Sequence, residues 1–231
     1  STSSTSSSYS LTITKLQKDQ IKIFSKRDKK RLKIFDDAQV CSTLEENFPK
    51  LIVWDLDYTL WKPEMYLCSG SPFKKSKGKV YDRAGEEICL FRGARQSLER
   101  LYTIQKESNM SSNYRKVQFG YCSRTCYPKW AAQCLSLLEL NTEDNLHPSC
   151  TLEAFAHQFE IYPGNKQSHF QQMAKKTGID FEDMIFYDNE RRNCISVGEL
   201  GVTTVYTPDG LTYALFVQGL NDHAIKKATI N

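Results

Sequence analysis

Asp55 and Asp57 stand two residues apart at the end of the apolar run Leu51-Ile52-Val53-Trp54, and Thr59 follows two residues later. A β-branched apolar run of this length reads as a buried strand, and its carboxyl end is where open α/β sheets bind ligands. Both carboxylates then face that mouth. At ~4 Å and an effective dielectric of about 20 they repel by roughly 4 kcal/mol. A divalent cation such as Mg²⁺ relieves that repulsion, because it takes hard oxygen donors and keeps waters that a phosphate can displace. An isolated DxD is common in chains of this length. DxDxT directly after such a strand is far more specific and points to phosphate handling.

The elements that must position these carboxylates can be read from periodicity. From Phe48 onward, strand-like runs alternate with helical patterns, which predicts an α/β, Rossmann-like parallel sheet sandwiched by helices. Residues 116–122, 184–187 and 202–206 read as strands. Residues 93–107, a segment opened by Pro128, 167–177 and 191–200 read as helices, and 211–220 closes the domain. In the second helix, Trp130, Cys134, Leu137 and Leu138 are expected to share one face. Gly178 suits a left-handed cap on the third. The Gly-, Pro- and Lys-rich stretch 62–90 reads as a hairpin-like flap, too short for a large cap domain, and 109–114 and 141–151 read as surface insertions. Three polar clusters then fall where strands end and helices begin: Ser123-Arg124-Thr125, Gly164-Asn165-Lys166 and Asp188-Asn189-Glu190. In a parallel sheet such positions converge on one edge.

Composition narrows the classes. The 231 residues are 40% hydrophobic and 12% aromatic, enough for one sizeable core. The net charge of +4 is unevenly placed: residues 1–35 hold nine Lys/Arg against Asp19 and Asp28, a net of +7, which leaves −3 for the remainder. A slightly acidic domain lacks the basic face of a nucleic-acid binder. The expected division is a basic, Ser/Thr-rich extension over 1–46 and a catalytic domain over 47–225. No run resembles a membrane span or a secretory signal. The expectation is therefore a soluble, monomeric protein of the cytoplasm, or of an organelle if the extension is a transit peptide. Eight cysteines without paired spacing read as reduced thiols, and the four histidines do not complete a zinc site.

Taken together, DxDxT, a Ser after a second strand, a later Lys and an acidic residue after a further strand resemble the haloacid dehalogenase (HAD) superfamily. Residues 54–61, the flap at Pro72-Phe73-Lys74 with Asp82-Arg83 and Gly85, Ser123-Arg124-Thr125, 160–164 before Lys166, and 188–193 resemble more narrowly its eukaryotic magnesium-dependent phosphatases. The resemblance spans about 48–219. It implies a Mg²⁺-dependent phosphomonoester hydrolase acting through an aspartyl-phosphate. On that pattern Asp55 is the nucleophile, Asp57 the general acid and base, and Lys166 the cation that neutralises developing charge. Thr59 orients Asp57, Ser123 and Arg124 bind the substrate phosphate, and Asp55, Asp57, Asp188 and Asn189 hold the metal, Asp57 through its backbone carbonyl.

One departure stands out. The family pattern has a second acid after Asp188, and here Asn189 occupies that place, with Glu190 as a candidate compensating carboxylate. Rival readings remain. A dehalogenase needs no acid at Asp57, a cysteine phosphatase needs an Arg six residues after Cys122 or Cys126, and a P-loop kinase needs a Gly-rich GK[ST] segment that is absent. A catalytically weak HAD-fold protein that binds phosphate or acts as a scaffold is the alternative from another class. The implied substrates are small phosphorylated molecules or phosphopeptides, either aryl (phosphotyrosine-like) or sugar phosphates, with no nucleic acid or membrane partner.

Overall fold

The computed structural model describes residues 47–106, 116–142 and 147–230. The expected N-terminal extension and the whole 109–114 insertion lie outside the described residues. In chain order the elements are β1 (Leu51–Trp54), β2 (Trp61–Lys62), β3 (Lys74–Ser76), β4 (Lys79–Tyr81), β5 (Glu87–Leu90), α1 (Arg92–Lys106), β6 (Gln118–Ser123) and α2 (Pro128–Leu137). They continue with β7 (Glu139–Leu140), β8 (Cys150–Thr151), α3 (Leu152–Phe155), β9 (Gln158–Ile161), α4 (Lys166–Thr177), β10 (Met184–Asp188), α5 (Arg191–Gly198), β11 (Thr203–Tyr206) and α6 (Tyr213–Ile230).

The main sheet runs β11-β10-β1-β6-β9, and every pairing in it is parallel. Strand order therefore reverses beside β1, and at such a switch point the loops leaving adjacent strands part to form a crevice. β1 is buried on both faces, which explains its unbroken apolar sequence. Leu51 and Val53 pack with Cys122, Phe170, Met173, Met184, Phe186 and Val197 on the side of α4 and α5. Trp54 points to the opposite layer, among the rings of Phe119, Tyr121, Phe155 and Tyr187, at centroid distances of 5.8 to 6.5 Å. The α/β architecture expected from the sequence is thus observed.

Three local differences have physical reasons. β9 forms the sheet edge, but its Gln158-Phe159-Glu160-Ile161 alternates polar and apolar residues over only four positions, too brief to announce a strand. In α2 the buried residues are Ala131, Cys134 and Leu135 rather than Leu137. Trp130 turns instead to the flap, stacking on Tyr127 at 4.3 Å and meeting Phe73 edge-on. The closing segment extends well past residue 220, as α6 reaches Ile230.

The 62–90 flap is a four-stranded sheet ordered β2-β5-β4-β3, antiparallel throughout. It is fastened to α2: Gln133 Oε1 accepts from Ser71 Oγ at 3.0 Å and from the Phe73 N–H at 3.3 Å. Among the described residues no helix is long and apolar enough to cross a membrane, and Cys68, Cys89, Cys122, Cys126, Cys134, Cys150 and Cys194 are free thiols.

Candidate active site

The loop after β1 is a tight turn built from its own backbone. The Leu56 carbonyl accepts from Thr59, Leu60 and Trp61 N–H at 2.9 to 3.3 Å, and Tyr58 takes a left-handed φ of 57°. The Asp55 N–H donates to the Tyr187 carbonyl at 2.9 Å, which carries the β1–β10 ladder one residue further and fixes the direction of the Asp55 side chain.

Lys166 opens α4, whose start is capped by the Asn165 side chain accepting from the Gln167 N–H at 2.9 Å. The Lys166 side chain is 1% exposed. Nζ lies 2.6 Å from Asp55 Oδ1 and 3.3 Å from Asp188 Oδ2, and it also donates to the Cys122 carbonyl. Burial works against the Lys166 charge, but the two aspartates prevail and hold its pKa above the ordinary value. Burial pushes the Asp55 carboxyl up while Lys166 pulls it back. Asp188 is pushed up to about 7, by burial first and by repulsion from Asp55 second.

Asp57 is held differently. Trp61 Nε1 donates to its Oδ1 at 2.8 Å, and burial together with Asp55 repulsion raises its pKa to about 7. A carboxyl poised there can deliver a proton at neutral pH and take one back.

Thr59 is fully buried rather than facing a substrate. It does not reach Asp57. Its Oγ1 lies 3.2 Å from Asp55 Oδ2 and 3.4 Å from Asn189 Oδ1, and it accepts from the Asn189 N–H at 3.0 Å. One hydroxyl thus gathers oxygens from the β1 and β10 loops.

A cleft of about 210 Å³ opens above these groups, lined by Asp55, Asp57, Ser123, Arg124, Lys166, Asn189, Glu190 and Arg192 among others. Ser123 Oγ accepts from the Thr125 N–H at 3.2 Å, leaving its own proton to donate. Asp188 does not reach the cleft: it is fully buried, its Oδ1 accepting from the Glu190 N–H at 2.6 Å and its Oδ2 from Asn193 Nδ2 at 3.0 Å. Glu190, considered above as compensation for Asn189, is engaged instead by two guanidiniums and an amide. Its Oε2 is 2.6 Å from Arg192 Nε, 3.3 Å from Asn193 Nδ2 and 3.7 Å from Arg124 Nη1.

Among the described residues no three His, Cys, Asp or Glu side chains converge on a point. Asp55 Oδ2 and Asn189 Oδ1, from two residues that line the cleft, both lie near Thr59 Oγ1, at 3.2 and 3.4 Å. Trp61, Asn193 and Arg192 had no role on sequence grounds. They lie within the 54–61 and 188–193 motifs, but what each bonds to is set by the fold.

The sequence model of the Acid Phosphatase family matches residues 47–226. Magnesium-dependent phosphatase 1 of Homo sapiens is 37% identical over 177 residues, covering 76% of this chain and 88% of that protein. A HAD-like hydrolase superfamily protein of Schizosaccharomyces pombe is 37% identical over 159 residues, covering 68% and 84%. A solved structure of 3-deoxy-D-manno-octulosonate 8-phosphate phosphatase from Moraxella catarrhalis is similar with a TM-score of 0.44 and 11% identity, covering 84% of this chain and 99% of that one.

Proposed function

The chain belongs to the Acid Phosphatase family, and from that premise we propose that it is a Mg²⁺-dependent phosphomonoester hydrolase whose nucleophile is Asp55. The observation that carries this reading is the pairing of two carboxyls with opposite tasks: Asp55 is tied to a buried ammonium at 2.6 Å, and Asp57 is free of that ammonium with its pKa near 7.

Lys166, 2.6 Å from Asp55, opposes the burial that raises the Asp55 pKa and so favours its anionic form, whose Oδ2 attacks phosphorus in line, forming an aspartyl-phosphate as the ester oxygen departs. Asp57 donates its proton to that oxygen, then accepts one from the water that cleaves the acyl phosphate. Ser123 and Arg124 donate to the phosphoryl oxygens, and Lys166 offsets the charge that builds on them. Thr59 and Trp61 hold the two aspartates at their posts.

The donor chemistry fits Mg²⁺, which binds through one or two carboxylates with other oxygens and retains waters. Asp55 and Asn189, with the Asp57 backbone carbonyl, would hold it, and Asp188 serves as the buried counter-ion of Lys166. When bound, the ion polarises the phosphoryl oxygens and lowers the repulsion between nucleophile and substrate. The phosphatase domain occupies 47–225. The shallow polar cleft and small flap suit an exposed phosphate on an aryl or sugar leaving group.

Phosphate release from phenyl phosphate and from a hexose 6-phosphate, assayed with Mg²⁺ and with a chelator, tests the proposal. Turnover that requires Mg²⁺ supports it. Phosphate binding without release in either condition would favour the scaffold reading.

A further inference from the structure

The mouth of the cleft carries more positive charge than the chemistry above employs. Lys166 is committed to Asp55 and Asp188 beneath the floor. Arg124 is assigned to the reacting phosphate, yet Arg192 also lines the cleft with its side chain 72% exposed. The two guanidiniums share one acceptor, Glu190 Oε2, at 3.7 Å and 2.6 Å, and that oxygen also meets Asn193 Nδ2 at 3.3 Å. Glu190 is itself 41% exposed at the side chain, so nothing seals the arrangement from solvent. Arg124 is held from behind, its Nη1 donating to Asn193 Oδ1 at 3.3 Å. The cleft lining therefore includes a carboxylate already paired with two guanidiniums, in the same cleft as Asp55 and Asp57.

We propose that Glu190 is a displaceable stand-in for a second anionic group on the substrate, and that Arg192 binds that group once Glu190 swings aside. The substrate class is a phosphomonoester whose leaving group carries a carboxylate or another phosphate. Guanidinium forks match both, and an exposed glutamate gives up its pairing at little cost, since surface ion pairs contribute little. This deepens the phosphatase reading and rests on it.

The two residues then act with opposite sign. Glu190→Gln removes the internal competitor and is expected to lower KM for an anionic leaving group. Arg192→Ala removes the receptor and is expected to raise it. Each effect should be about threefold to tenfold for a partly exposed charge-assisted pair. The probes are 4-carboxyphenyl phosphate and its neutral partner of the same shape, 4-carbamoylphenyl phosphate. A third, 1,4-phenylene bisphosphate, distinguishes a second phosphate from a carboxylate. The readout is the ratio of kcat/KM between charged and neutral probes in wild type and in each variant, at fixed Mg²⁺ and ionic strength.

A wild-type ratio above one that rises in Glu190→Gln and falls in Arg192→Ala supports the inference. A ratio near one that neither variant moves overturns it, as does movement in the same direction by both, the mark of a merely structural clamp. Turnover of the carbamoyl probe separates the two levels: its absence in wild type defeats the phosphatase reading, whereas its presence without charge preference defeats only this one.

Discussion

Asp188 and Asn189 are chain neighbours with divergent tasks, and substitutions should separate them. Asp188 is fully buried against Lys166, and Asn189 Oδ1 sits across Thr59 from Asp55. Asp188→Asn should lower kcat at least tenfold, because the ammonium loses one of its two carboxylate partners, with the Mg²⁺ concentration for half-maximal activity little changed. Asn189→Asp should do the reverse, lowering that concentration several-fold by adding charge to the donor set. A Mg²⁺ titration of activity for both variants checks the pair. Asp57 makes a further prediction through its proton: Asp57→Ala should cost ~10²–10⁴ in kcat for an alkyl phosphate and much less for 4-nitrophenyl phosphate, whose leaving group needs no acid. That Asp55, Asp57, Ser123 and Lys166 would meet at one cleft was readable from the sequence, whereas the burial of Asp188 against Lys166 was not. Nor was the partner of Thr59. Which of two nearby carboxyls a hydroxyl meets depends on the left-handed turn at Tyr58, and a tyrosine there does not announce it.

The flap and α2 act as one unit, and its seam is Gly70 beneath Trp130. Gly70 has φ +98°, and a Cβ added there would lie 2.4 Å from the Trp130 ring. Gly70→Ala should therefore destabilise the protein by about 1–3 kcal/mol through backbone strain, with further loss from displacing Trp130. Urea unfolding measures it. Activity toward small phosphates should persist under native conditions, since neither residue lines the cleft. Helices with strong periodicity and clear ends, such as α4 between Asn165 and Gly178, followed directly from sequence. The phase of α2 did not, because Trp130 answers to the flap rather than to the core, and a long-range partner is invisible to a local pattern. β9 escaped notice for a related reason: an edge strand alternates as a surface loop does.

Stability of the whole domain should depend on pH through two buried histidines, His169 and His223, as well as through its surface. His223 is buried beside Thr203, with Nδ1 3.2 Å from Oγ1, and burial depresses its pKa to about 4. Burial, aided by Lys166, depresses His169 to about 4 as well. Both imidazoles remain neutral in the folded chain between about 4 and the unfolded value near 6.5, whereas the unfolded chain binds protons across that window. The histidines' contribution to stability is therefore full above about 6.5 and declines as pH falls toward 4, opposed over that window by Asp57 and Asp188, whose raised pKa values let the folded chain take up protons first. His223→Gln should flatten the decline, as seen in thermal unfolding midpoints across pH 4–7. The fold class was evident from the alternation of strands and helices, but the five-strand order was not, since pairing is decided by contacts between distant segments.

Phosphate release by Asp55→Asn, compared with wild type at saturating Mg²⁺ and with circular dichroism confirming the fold, bears most directly on the central claim. A nucleophilic role predicts a loss of at least about a thousandfold in kcat. Release within tenfold of wild type by the folded variant would contradict it.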